Sequence, residues 1–130
     1  MKIGLLEDNP AILDYMTTAL QMAGHSVEIH TQSFSLLEVL LAEEVEGATN
    51  PLPYDLVIVD LLLPGNISGL SAIQRIHRVI SPVRLPIIIV SACSQDELKQ
   101  VKEQLPHIPI LRKPFKMSAL LWLIEEMNAR

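Results

Sequence analysis

Leu56-Val57-Ile58-Val59-Asp60 is four aliphatic residues closed by a carboxylate, and how it is read decides the fold. A strand with one wet face alternates apolar and polar side chains, whereas a strand covered on both faces is apolar at every position. Ile87-Ile88-Ile89-Val90 and Ile3-Gly4-Leu5-Leu6 have the same character. With Val27 to His30 and Ile108 to Leu111 they give five short strand candidates, the third taken as Leu56 to Val59 and the fourth as Pro86 to Val90.

Between these runs lie segments with helical periodicity. The first opens on Asn9, an N-cap type, with Pro10 at the first helical position, and ends at Gly24, which tolerates the left-handed conformation. Its inward stripe is expected to be Ile12, Leu13, Met16, Leu20 and Ala23. Ser33 to Glu44 repeats the design with Phe34, Leu37, Val39, Leu40 and Leu41, and Ser68 to Ile80 does so with Leu70, Ile73, Ile76 and Ile80. Ser94 to Leu105 and Met117 to Ala129 complete the set, and residues 46–53 read as a loop rich in Gly and Pro.

Strand then helix, five times over, predicts an α/β fold, a doubly wound parallel sheet between two helix layers. The sheet order does not follow from alternation alone, although 2-1-3-4-5 is one of two common solutions. At 130 residues and 49% hydrophobic content the chain suits one domain, residues 1–130. A net charge of -5 gives no reason to expect nucleic-acid binding, and no apolar run reaches the roughly 18 residues of a membrane span. Cys93 has no disulfide partner, and His25, His30, His77 and His107 lack ligand-like spacing, so a reducing, cytoplasmic setting without zinc is expected.

Ligands of open parallel sheets bind beyond the carboxyl ends of the strands, so the residues closing each strand are the informative ones. They are Glu7 and Asp8 after the first, Asp60 after the third, Ser91 after the fourth and Lys113 after the fifth. Three carboxylates in one pocket repel one another unless a cation joins them, and Mg2+ suits oxygen donors that must also accept phosphate. Asp60 can then serve as a nucleophile toward phosphorus, with Ser91 and Lys113 contacting the phosphoryl oxygens.

Each residue also has a plainer reading. Glu7-Asp8 alone suits a solvated strand end, Asp60 a turn before Pro64-Gly65, Ser91 a helix cap and Lys113 surface charge. Their occurrence together at four strand ends is what favours chemistry. Cys93 reads as a small packing residue, and the histidines as surface or packing residues.

With these motifs, Leu6-Glu7-Asp8-Asn9, Asp60-Leu61-Leu62-Leu63-Pro64-Gly65, Val90-Ser91-Ala92 and Arg112-Lys113-Pro114-Phe115, the chain resembles the receiver domains of two-component response regulators over nearly its whole length. The resemblance implies a flavodoxin-like sheet of order 2-1-3-4-5 and a phosphoacceptor role for Asp60. It implies that Asp8 binds Mg2+ directly, Glu7 through a water, and Leu62 through its backbone carbonyl. Ser91 would sense the phosphoryl group, Lys113 would pair with it, and the Lys113-Pro114 bond would be cis. The implied partner is a histidine kinase or phosphotransfer protein, the implied output is a changed helix 4, strand 5, helix 5 face, and a phosphorylation-linked homodimer is an option.

The chain departs from that pattern at four points. Ile110 stands where many receivers carry a Tyr or Phe, and His107-Ile108-Pro109 replaces the acidic residues of one dimerising subfamily. Gly69 falls nine residues after Asp60 rather than eight, and the stretch before Tyr54-Asp55 is long. Two alternatives stay open. One is a phosphorylation-independent interaction module, prompted by Ile110; the other is a small phosphatase, disfavoured by Leu62 where such enzymes want a second Asp. The sequence equally suits a stand-alone receiver and the N-terminal part of a longer regulator.

Overall fold

The structure, a computed structural model, describes residues 1–41, 51–61 and 69–129. Its elements run β1 (Lys2–Leu6), α1 (Pro10–Met22), β2 (Ser26–His30), α2 (Ser33–Leu41), β3 (Leu56–Asp60), α3 (Gly69–Val79), β4 (Ile87–Ser91), α4 (Gln95–Gln104), β5 (Ile110–Arg112) and α5 (Met117–Asn128). All pairings are parallel and the strand order is β2-β1-β3-β4-β5, so the three fully apolar runs occupy the three interior positions.

Every residue of β3 and β4 is buried, because each successive side chain enters a different core. Leu56 and Ile58 pack with Ile3, Leu5, Met16, Leu20, Leu120 and Ile124 on the α1 and α5 side. Val57 and Val59 pack with Leu6, Leu36, Leu40, Ile73, Ile76 and Val101 on the α2, α3 and α4 side. Full burial of one such side chain is worth about 1.5–3 kcal/mol, so a polar substitution anywhere along β3 penalises one of the two layers.

The helix ends follow the expected chemistry. Asn9 accepts from the N–H groups of Ala11 and Ile12, with Pro10 following it. Gly24, φ 94°, provides the left-handed exit after α1. Ser94 caps α4 in a reciprocal pair with Glu97, so this serine, rather than Ser91, is the capping residue.

Several expectations need correction. Ala23 is exposed because α1 ends at Met22 and Ala23 only caps it. In α2 the inward stripe is Ser33, Leu36, Leu37 and Leu40, while Phe34 and Val39 lie about one 100° step off it and face out. β5 starts at Ile110 rather than Ile108, since the Ile108 N–H closes a turn onto Leu105 and Pro109 has no N–H for a ladder. β4 likewise begins at Ile87 and runs one residue further, to Ser91. The expected start of the third helix at Ser68 and end of the second at Glu44 lie outside the described residues, as does most of the 46–53 loop.

Candidate functional site

β1, β3, β4 and β5 end at the same edge of the sheet, and their ends or following residues bring the predicted site together. The Glu7 N–H donates to the His30 carbonyl at 3.0 Å, which holds the residue after β1 in line with the β2 ladder. Its side chain is fully buried. Oε1 accepts from the Asn9 N–H at 3.3 Å, and Oε2 accepts from Lys113 Nζ at 2.8 Å. Asp8, next in the chain, is exposed.

Asp60 closes β3 and is buried, with Oδ2 accepting from Lys113 Nζ at 3.1 Å. The first residue of α3 comes so close to it that a Cβ on Gly69 would lie 2.5 Å from the Asp60 carbonyl oxygen. Only glycine fits there, which gives the residue type at position 69 a steric reason. Lys113 is fixed by its own N–H, which donates to the Ser91 carbonyl at 2.8 Å, and by a cis bond to Pro114.

One ammonium from the second half of the chain therefore bridges two carboxylates of the first half. Burial pushes the Glu7 carboxyl above its ordinary range; the bond to Lys113 pulls it back, and the nearby Asp60 charge adds to the rise. The sequence had pointed to mutual repulsion as the main effect, but desolvation is the larger cause. Burial disfavours the Lys113 charge, yet the paired Glu7 and Asp60 outweigh it and hold the ammonium above its usual value.

Oxygens of Glu7, Asp8 and Asp60 lie within 4.8 Å of one another, close enough for one ion to reach all three. The donor set is all carboxylate, with one member exposed to solvent, which fits Mg2+, a hard ion that takes a few protein oxygens and keeps several waters. It does not suit zinc, which favours His and Cys. Leu62, the other expected ligand, lies outside the described residues.

Ser91 ends β4 and is wholly buried, and its Oγ has no hydrogen-bond partner among the described residues. Ile110 is half-buried against the α2, α3 and α4 side core. Three participants were not singled out from sequence. They are the His30 carbonyl, the Asn9 N–H on Glu7, and Arg112, whose Nε donates to the Cys93 carbonyl at 3.2 Å. The first two are backbone groups that carry no residue signature, and Arg112 stood in view only as the neighbour of Lys113.

Among known proteins, the nisin biosynthesis regulatory protein NisR of Lactococcus lactis is 32% identical over 124 residues, covering 95% of this chain and 48% of that protein. The dual master transcriptional regulator RpaA of Synechocystis is 27% identical over 129 residues, covering 99% of this chain and 46% of its own length. The chain thus spans about half the length of these relatives. The receiver domain of a sensor histidine kinase from Pseudomonas aeruginosa, solved with magnesium coordinated in its active-site cleft, superposes with a TM-score of 0.79. It is 25% identical, with 99% of this chain and 98% of that one covered. Residues 3–125 match the family model of the response regulator receiver domain, and with the sheet order and the strand-end cluster in agreement, the chain belongs to that family of two-component signalling domains.

Proposed function

We propose that residues 1–130 form one receiver domain that accepts a phosphoryl group on Asp60, in a magnesium-dependent reaction, from a histidine kinase or phosphotransfer protein. The observation that carries this reading is the Lys113 ammonium bonded to both Asp60 and Glu7 in a pocket that a third carboxylate can join. An Asp60 oxygen attacks phosphorus as the bond from phosphorus to the donor's imidazole nitrogen breaks, and the electron pair leaves with the imidazole. Lys113 then has an anionic oxygen to hold in exchange for a carboxylate, and the Ser91 hydroxyl has a hydrogen-bond acceptor.

Glu7, Asp8 and Asp60, together with the Leu62 carbonyl, are the residues that would hold Mg2+. When bound, the ion supplies positive charge to a site where the carboxylates outnumber the one ammonium. The domain acts as a phosphoacceptor rather than as a stand-alone enzyme. Its output surface is the α4, β5, α5 face, where Ile110, Leu111, Ala119, Trp122 and Leu123 line a shallow apolar groove. An output domain, an effector protein or a second copy is the class of partner that face suits. The setting proposed is the cytoplasm, with no direct role in nucleic-acid or membrane binding; no helix among the described residues is long and apolar enough to cross a membrane.

Incubation with acetyl phosphate and Mg2+, followed by intact mass, tests the reading. A gain of one phosphoryl group, absent in Asp60→Asn, is expected; undiminished labelling of the variant would remove Asp60 from its role. A second reading, a phosphorylation-independent binding module, is favoured by Ile110 being already packed against the core. It predicts equal partner affinity with and without beryllofluoride.

A further inference from the structure

Arg112 is exposed at the end of β5, and its side chain reaches the neighbouring β4–α4 connection. Its Nε donates to the backbone carbonyl of Cys93, 3.2 Å away, in the short connection between β4 and α4. Arg112 sits opposite Ser91 in the ladder, so the guanidinium spans from the strand end to the middle of that connection. The segment is then held at three successive points. Ser91 is fixed by the Lys113 N–H, Cys93 by Arg112, and Ser94 by its reciprocal cap with Glu97.

The middle point matters because of what Ser91 lacks. Its Oγ is buried and has no hydrogen-bond partner among the described residues, so no side-chain bond there fixes where the hydroxyl sits. Its position at the end of β4 is held through backbone bonds. The ladder fixes the residue before Ala92 and the cap fixes the helix start; between them the Cys93 side chain is buried, and its backbone carbonyl is held by Arg112.

Resting on the phosphoacceptor reading above, we propose that Arg112 is a positioning residue: acting through the Cys93 carbonyl, it fixes the β4–α4 connection so that the Ser91 hydroxyl is presented to a phosphoryl group on Asp60. The carboxylates that would hold the metal follow β1 or close β3, whereas the Arg112 bond is to the β4–α4 connection. Arg112 should therefore separate two affinities that a general distortion of the site would change together.

The experiment compares wild type, Arg112→Ala and Arg112→Lys. Titration calorimetry measures Mg2+ alone and then beryllofluoride on Mg2+-saturated protein, and amide exchange at Ala92 and Cys93 is followed without either ligand. In Arg112→Ala, beryllofluoride affinity is expected to fall about fivefold, Mg2+ affinity to stay within about twofold, and Ala92 and Cys93 to exchange faster. Arg112→Lys, which keeps a charged donor near the carbonyl, should recover most of the loss. Unchanged beryllofluoride affinity in Arg112→Ala, a parallel fall in Mg2+ affinity, or no recovery with lysine would each overturn the proposal. If wild type bound no beryllofluoride, the phosphoacceptor reading itself would fail; unchanged exchange in Arg112→Ala would show separately that the tether does not hold the connection.

Discussion

Lys113 Nζ lies 2.8 Å from Oε2 of Glu7, a carboxylate 106 residues away in the chain and almost wholly removed from solvent. Removing one partner of such a pair leaves the other desolvated and unmatched, which costs more than the pair is worth. Asp60 shares the same ammonium, so the loss affects two carboxylates.

Lys113→Ala is accordingly expected to destabilise the metal-free protein by about 2 kcal/mol in urea unfolding with a chelator present. On a Glu7→Gln background, where the buried group is neutral, the same change should cost less than half as much. Equal costs on the two backgrounds would show that Glu7 and Lys113 are not energetically coupled.

Asp8 contributes to the acidic cluster from the solvent side, so its role in metal binding can be separated from folding. Asp8→Asn should change stability by no more than about 0.5 kcal/mol, as expected for a surface substitution. Its Mg2+ affinity by calorimetry should fall at least about tenfold, because a direct ionic ligand is lost. Retained affinity would place the ion elsewhere.

Stability should decline as the medium is acidified below neutrality. Burial holds His25, His30 and His77 below the ordinary value of 6.5, with Glu28 partly opposing the shift at His30. The unfolded chain therefore takes up these protons first. Their contribution is whole above about 6.5 and is lost as pH falls through the folded-state values. Urea midpoints between pH 7.5 and 5 should fall, and His30→Gln should flatten part of the slope. A slope unchanged by that substitution would assign the effect to the other two rings.

The interior of the sheet could be read from composition because strands covered on both faces leave nothing but aliphatic side chains in β3 and β4. The strand ends could be read because carboxylates and an ammonium stand out against that background. Phe34 and Val39 misled because α2 carries apolar residues all round, so periodicity alone could not choose between them and Leu36. β5 was over-extended because Ile108 looks like a strand residue; a turn bond to Leu105 takes its N–H instead. His30 shows the same limit. Its ring joins Ser35 at 2.7 Å and Tyr54 at 2.6 Å, and Tyr54 lies over Gly4, a set of contacts that no local pattern announces.

Lys113 stands 53 residues from Asp60 and twice as far from Glu7, so no fragment that ends before β5 contains the site. A nascent, clipped or partly unfolded copy that lacks β5 leaves Asp60 without its ammonium and offers a phosphodonor only a solvated carboxylate. Competence for the proposed chemistry is thereby tied to completion of the sheet.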